Sequence, residues 1–261
     1  MYEHHKKAIE SMKAYFEGDP EILGVILGGS VAKGLERPDS DIDGMVVVTP
    51  ERYAELKAQG RITECITGYC EYEGGYFDIK YMTKEYLMAA ADHGSEPTRN
   101  SFLCSRCISY KDPDIPGIVE RIPVFQKQEK QEKMDSFYAV LHYATDYFWH
   151  FVEDPILRSH TVYEIVHFAL RMLMQDREIL YPCSKSMGAY IERMENKPPK
   201  VLELCRIFVE NPTTENMENF VQYVLSNIDY EPPKDFHDIG TRFVADNEQW
   251  WYKQRPFIAE W

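Results

Sequence analysis

The chain has 261 residues, 44% of them hydrophobic, enough to bury one large core or two smaller ones. Its 43 acidic residues outnumber 29 basic ones, a formal charge of −14, which argues against a large nucleic-acid footprint because that needs a basic face. The balance suits a small substrate and a cationic one in particular, although acidic charge most often serves solubility.

The opening MYEHHKKAIESMKAYF is charged and amphipathic, unlike a secretion signal. Ile9, Met12, Lys13 and Phe16 predict a helix that stops at Gly18. ILGVILGG (22–29) is a short apolar run ended by glycines, the pattern of a buried strand, and IDGMVVV (42–48) is a second, closed by Thr49-Pro50. A helix follows near 51–58. ITECITGYCEY (62–72) and YFDIKYM (76–82) are β-rich and separated by Gly74-Gly75, a hairpin signal. TKEYLMAAADH (83–93) returns to helix, with Thr83 as N-cap and Gly94 as the stop. FLCSRCISY (102–110) reads as a last strand. Cys104 and Cys107 have CxxC spacing there, but residues three apart on a strand point to opposite faces, and no second pair accompanies them. Cys104 and Cys107 are expected to be buried thiols rather than a zinc or redox pair, and all six cysteines are expected to be reduced in a cytoplasmic chain. No apolar run approaches a membrane span.

Beyond about residue 125 the periodicity is helical. Phe137, Leu141, Ala144, Phe148 and Phe151 mark one face, and VYEIVHFALRMLMQDREIL (162–180), apolar around most of its circumference, predicts the central helix of a bundle, ended by Pro182. Val201, Leu204, Cys205 and Phe208 mark another helix, and Phe220, Val221, Val224, Leu225 and Ile228 one more. Trp250, Trp251 and Tyr252 predict a last helix that packs back on the bundle. The fold class expected is α+β: a mixed β-sheet with flanking helices over 1–125, then a helical bundle over 126–261. A cleft between them is the expected ligand site.

GGSVAKGLERPDSDIDGMVVV (28–48) concentrates the chemistry. Gly28 and Gly29 end a strand and let a ligand approach the backbone. Ser30 adds a hydroxyl, SVAKGL opens a short helix whose N-terminus favours phosphate, and Lys33 lies one turn further along. Asp41 and Asp43 are two apart on the next strand, so their carboxylates share a face and repel unless a cation lies between them. Mg²⁺ suits carboxylate oxygens plus substrate phosphates. Asp78, a lone acid in an apolar strand, clusters with them if its strand neighbours theirs. Such a pair of metals lowers the pKa of an attacking hydroxyl and neutralises charge on a leaving pyrophosphate.

GGS, ten intervening residues, then DID and a later strand aspartate resemble the signature of the polymerase-beta-like nucleotidyltransferase superfamily. Leu27, Gly28, Gly29 and Ser30 match its first part, Asp41 and Asp43 its second, and Asp78 its third carboxylate. Gly44 departs from the pattern, which has an apolar residue there. A small nucleotidyltransferase domain followed by helices is similar to the antibiotic nucleotidyltransferases acting on aminoglycosides and lincosamides. That resemblance implies transfer of AMP from ATP to a drug hydroxyl, with two Mg²⁺ ions held by Asp41, Asp43 and Asp78. Gly29, Ser30 and Lys33 would hold the triphosphate. REILYPCSK (177–185) looks like a segment of the helical domain whose lysine contacts nucleotide phosphates, which carries over to Lys185. The expected partners are a nucleoside triphosphate and a small hydroxylated acceptor, with no nucleic acid and no membrane.

Other residues read more plainly. Arg37, in the turn before the aspartates, is expected at the surface. Arg99 and Arg106 flank the last strand; a reach into the cleft stands beside surface ion pairing, which is the role expected. His160, Glu164 and His167 share a helix face by spacing; a metal site or a general-base role for Glu164 stands beside ordinary helix-surface roles. Two rival functions are an antitoxin-type enzyme that adenylylates a partner protein and a non-catalytic nucleotide-binding module.

Overall fold

The computed structural model describes residues 1–253 and 255–261. They form two compact units, Met1–Gly94 with Thr98–Val124, and Ser95–Pro97 with Phe125–Trp261. The first is built on a mixed five-stranded sheet and the second is mostly helical, an α+β chain.

The sheet runs in the order β3 (Thr63–Ile66), β4 (Phe77–Met82), β2 (Ile42–Val48), β1 (Ile22–Leu27) and β5 (Arg106–Tyr110). β2 and β4 are parallel, and the other neighbours are antiparallel. β2 lies at the centre, and Val46, Val47 and Val48 are each at most 1% exposed. Burial on both faces explains why its sequence is a continuous apolar run rather than an alternation. One face is covered by α1 (Glu3–Phe16), whose Ile9, Met12 and Phe16 pack against Ile42, Val46 and Ile79. On the other face Met45, Val47 and Met82 meet Leu87 and Ala90 of α4 (Lys84–His93) and Ile115, Ile118 and Val119 of α6 (Ile115–Arg121).

Local chemistry sets the helix ends. Thr49 Oγ1 accepts from the Arg52 amide ahead of Pro50 in α3 (Pro50–Ala58), and Thr83 Oγ1 accepts from the Tyr86 amide at the start of α4. α2 (Gly29–Lys33) is a single turn, closed by Gly34 in the left-handed region at φ 67°. α5 (Glu96–Ser101) joins the two units.

Several sequence expectations are corrected. β5 begins only at Arg106, because Cys104 turns the chain at φ 60°. Cys104 and Cys107 therefore do not share a strand, and Cys104 is exposed rather than buried. β3 stops at Ile66, and the following loop is held by side chains instead of ladder bonds. Tyr69 stacks on Phe77 at 5.9 Å, and Tyr72 Oη donates to the Ser40 carbonyl at 2.7 Å. Arg99 makes no surface ion pair. It is 1% exposed and donates to the carbonyls of Gly94, Ile122, Ala91 and Asp92, tying α4 to the end of α6.

In the helical unit, α7 (Lys130–His142) continues through a π-helical turn (Tyr143–Phe148) into the short α8 (Trp149–Phe151). The 22-residue α9 (Pro155–Asp176) is the central helix; Asp154 Oδ1 caps it by accepting from the Ile156 and Leu157 amides. It is followed by α10 (Ser184–Glu192), α11 (Val201–Glu210), α12 (Thr214–Leu225) and α13 (Phe236–Phe243). α9 ends before Pro182 is reached: Glu178 adopts φ 55°, and Leu180 and Tyr181 run on as a buried non-helical segment. Phe137, Leu141 and Ala144 are buried as the spacing predicts, but Phe151 is 69% exposed because the chain leaves the helix there. Trp250–Lys253 form a 3₁₀ turn with Trp251 and Tyr252 outward; Ile258 and Trp261 pack inward instead. Buried Glu96 accepts from Lys133 Nζ at 3.1 Å, Arg171 at 3.3 Å and the Tyr181 amide at 3.1 Å, so two cations and an amide compensate one buried carboxylate. No helix among the described residues is long and apolar enough to cross a membrane.

Candidate metal and nucleotide site

The site is assembled at one end of the sheet's central strands. Asp43 is the second residue of β2, and parallel pairing sets it directly opposite Asp78 on β4. Asp41 immediately precedes β2 and, by strand alternation, lies on the same face as Asp43. One carboxylate oxygen from each of Asp41, Asp43 and Asp78 lies within 4.8 Å of the others. All three are partly exposed, so the cluster opens to solvent.

The glycine-rich turn is fitted to Asp43. The Gly28 amide donates to the Asp43 carbonyl at 3.0 Å, which ties the end of β1 to the site. Gly29 has φ +65°, and a Cβ there would lie 1.6 Å from Asp43 Oδ2. Glycine is required on both counts, backbone conformation and space. The Ser30 amide, in the first turn of α2, lies beside the Asp43 carboxylate and favours its ionised form.

Electrostatics agree with the geometry. Burial, followed by the charges of Asp41 and Asp78, pushes the Asp43 carboxyl up to about 6; Lys80 and the Ser30 amide oppose the shift. A third acid next to two others is a cost unless a cation neutralises it. The donor set, three carboxylates open to solvent, is the kind that hard divalent ions such as Mg²⁺ take together with phosphate oxygens.

Residues 5–87 match the nucleotidyltransferase domain family. The matched segment holds Gly28–Ser30, Asp41, Asp43 and Asp78, and it supports nucleoside-monophosphate transfer as the general chemistry. No curated protein sequence matches the chain. Among solved structures, it is similar to a nucleotidyltransferase-like protein from Exiguobacterium sibiricum 255-15, at 9% identity and a TM-score of 0.45, over 97% of this chain and 81% of that one.

The remaining predicted residues lie elsewhere or are otherwise engaged. Lys33, at the end of α2, donates to Asn100 Oδ1 at 3.1 Å. Lys185 is exposed in the first turn of α10, in the helical unit. Arg37 is exposed and paired with Asp39 at 3.2 Å. On α9, His160 pairs with Glu164 at 3.5 Å, but His167 is buried, contacts the Ala259 carbonyl at 3.3 Å, and is pushed down to about 4 by burial and by Arg171. His167 is therefore a neutral core residue, and the three do not converge as a metal site.

Tyr76, Lys80 and Cys65 adjoin the acids and are absent from the sequence reading. Tyr76 and Lys80 share a face with Asp78 by strand period, a signal readable from YFDIKYM once that face is known to matter. Tyr76 adjoins Asp41, whose hydrogen-bonding influence and charge push the phenol up to about 12. Cys65 faces Asp78 across the β3–β4 ladder, a pairing that strand residues alone do not disclose.

Gly44 is explained by packing. A Cβ there would lie 2.6 Å from Ile79 Cδ1 and 2.9 Å from Met12 Sδ. The apolar side chain usual at this place is supplied by α1 and β4 instead, and the glycine makes room for it.

Proposed function

We propose that the chain is a Mg²⁺-dependent nucleotidyltransferase that moves a nucleoside monophosphate, AMP from ATP, to a hydroxyl of a small acceptor. The observation that carries this reading is the convergence of Asp41, Asp43 and Asp78 oxygens within 4.8 Å, beside a turn that only glycine can make. Asp41, Asp43 and Asp78 would hold the metal. When bound, Mg²⁺ supplies neutralising charge to the triphosphate and acidity to an attacking hydroxyl. Gly29 keeps the approach clear of side chains, and the Ser30 hydroxyl meets the phosphate. Lys33 and Lys185 are assigned to the phosphates by resemblance alone, and for Lys33 this requires exchanging its bond to Asn100.

The acceptor class proposed is a hydroxylated cation of the aminoglycoside or lincosamide kind, supported by similarity of domain order and by the formal charge of −14. A cytoplasmic location is proposed on the same basis as the reduced cysteines expected from their scattered spacing. The test is pyrophosphate release from Mg·ATP across a panel of hydroxylated antibiotics and metabolites, with product mass as the second readout. Asp78→Asn should lower release by at least about a hundredfold, the scale on which removing a positioned acid–base or electrostatic group acts. Undiminished release in that variant would remove Asp78 from the site.

A further inference from the structure

Of the three acids, Asp41 alone lies outside a strand. Asp43 and Asp78 are paired residues of β2 and β4, whereas Asp41 comes just after an exposed turn, residues 37–39, that leads into the sheet. Its position depends on the two peptide planes that flank its Cα, each of them rigid. The plane after it is fixed by the Ile42 amide, which donates to the Tyr76 carbonyl at 3.0 Å. The plane before it is fixed by Tyr72, whose Oη donates to the Ser40 carbonyl at 2.7 Å. Both anchors belong to the segment that leads into β4 and so to Asp78.

The surroundings of Tyr72 hold it in place for this bond. Its ring meets the His4 ring at 4.5 Å between centroids and the His5 ring, edge-on, at 5.1 Å, both from α1. His4 Nε2 also donates to the Pro38 carbonyl at 2.9 Å, so α1 steadies the ring and the turn together. Gly75 leaves the ring its space: a Cβ there would lie 2.7 Å from Tyr72 Cζ and 2.6 Å from Cys70 Cβ. The Gly75 amide donates to the Tyr72 carbonyl at 3.2 Å and closes the turn that carries the tyrosine. Ser40 is 8% exposed beneath its exposed neighbours, so water is a poor replacement for the phenol as its donor.

We propose that Tyr72 is a positioning residue of the metal site: its hydroxyl holds the Ser40–Asp41 peptide so that the Asp41 carboxylate is aimed at the cation that Asp43 and Asp78 share. The inference rests on the metal-site reading above. Tyr72 acts only through Asp41, as a group that fixes the backbone of a ligand before the ligand is used. A role confined to packing would use the ring, which phenylalanine keeps. The positioning role uses the hydroxyl, which phenylalanine lacks.

The test is calorimetric binding of Mg²⁺ with a non-hydrolysable ATP analogue, well below the melting temperature, to the unaltered chain and to Tyr72→Phe. The variant should bind Mg²⁺ about three- to tenfold more weakly, the range that loss of one net hydrogen bond gives. Tyr69→Phe, which deletes a hydroxyl from the same loop, should bind as the unaltered chain does. Pyrophosphate release by Tyr72→Phe should need more Mg²⁺ but reach the same maximal rate. Should Tyr72→Phe fail to fold, hydrogen exchange of the unaltered chain decides: Mg²⁺ should slow exchange of the Gly75 amide, because the cation and the clamp stabilise each other. Binding by Tyr72→Phe as tight as by the unaltered chain, or an unchanged Gly75 amide, overturns the proposal and leaves the metal site standing. No Mg²⁺ binding by the unaltered chain, with or without the analogue, overturns both.

Discussion

Replacing Asp43 by asparagine should make the cation-free protein more stable while removing its function. The Asp43 carboxyl is raised from 3.8 to about 6, first by burial and then by Asp41 and Asp78. About two units at ~1.4 kcal/mol each give a ceiling of about 3 kcal/mol that the ionised carboxylate costs the fold. Because the folded-state pKa is the higher one, the protonated form is favoured on folding. The stabilisation is complete below about pH 4 and is lost as pH rises through about 6. Asparagine mimics the protonated form: it is neutral, nearly isosteric, and keeps an oxygen for the Ser30 amide. At pH 7.5 in EDTA, Asp43→Asn should therefore melt higher by roughly 3–10 °C, taking about 2–4 °C per kcal/mol for a chain of this size. The gap should close as the buffer is lowered toward pH 4.5, where Asp43 is protonated in the parent. Adding Mg²⁺ should raise the melting temperature of the parent more than that of the variant, since the variant lacks a ligand charge. The assay is a set of calorimetric melts across these conditions. If the variant melts at or below the parent at pH 7.5 in EDTA, the three acids do not repel in the way the geometry requires, and the cation-site reasoning fails with them.

Three further outcomes follow from the same structure. Gly29→Ala combines a positive φ with a Cβ placed 1.6 Å from Asp43 Oδ2, so it should displace the carboxylate, cost at least about 1–3 kcal/mol and abolish Mg²⁺ binding by titration calorimetry. Gly44→Ala should cost about 1–3 kcal/mol in denaturant melts by overpacking against Ile79 and Met12, and Met12→Ala in the same chain should recover part of that loss. Mg²⁺ affinity should fall as pH drops below about 6, because Asp43 must give up its proton to bind; calorimetry in buffers of different ionisation enthalpy should detect proton release near pH 5.5 and little at pH 8.

Strand periodicity is a local property, and it was enough to put Asp41 and Asp43 on one face beside a glycine turn. Helix ends at Thr83 and Gly94 were legible for the same reason, since a cap is a contact between residues a few positions apart. The end of α9 was not, because the left-handed turn at Glu178, not Pro182, stops it, and glutamate carries no such signal. Arg99 was misread as a surface cation because its four carbonyl acceptors come from the ends of two helices and the loops beyond them.

The sequence by itself determined the chemistry on offer: three acids, a glycine turn, a serine and an apolar frame to carry them. Only the tertiary structure decided which of these meet. The parallel pairing that sets Asp43 opposite Asp78 joins strands far apart in the chain, and register between such strands depends on packing that no local pattern encodes. The same pairing brings Tyr76 alongside Asp41, and the packing of α1 and β4 on that face leaves little room for a side chain at Gly44, where the sequence showed only a missing one.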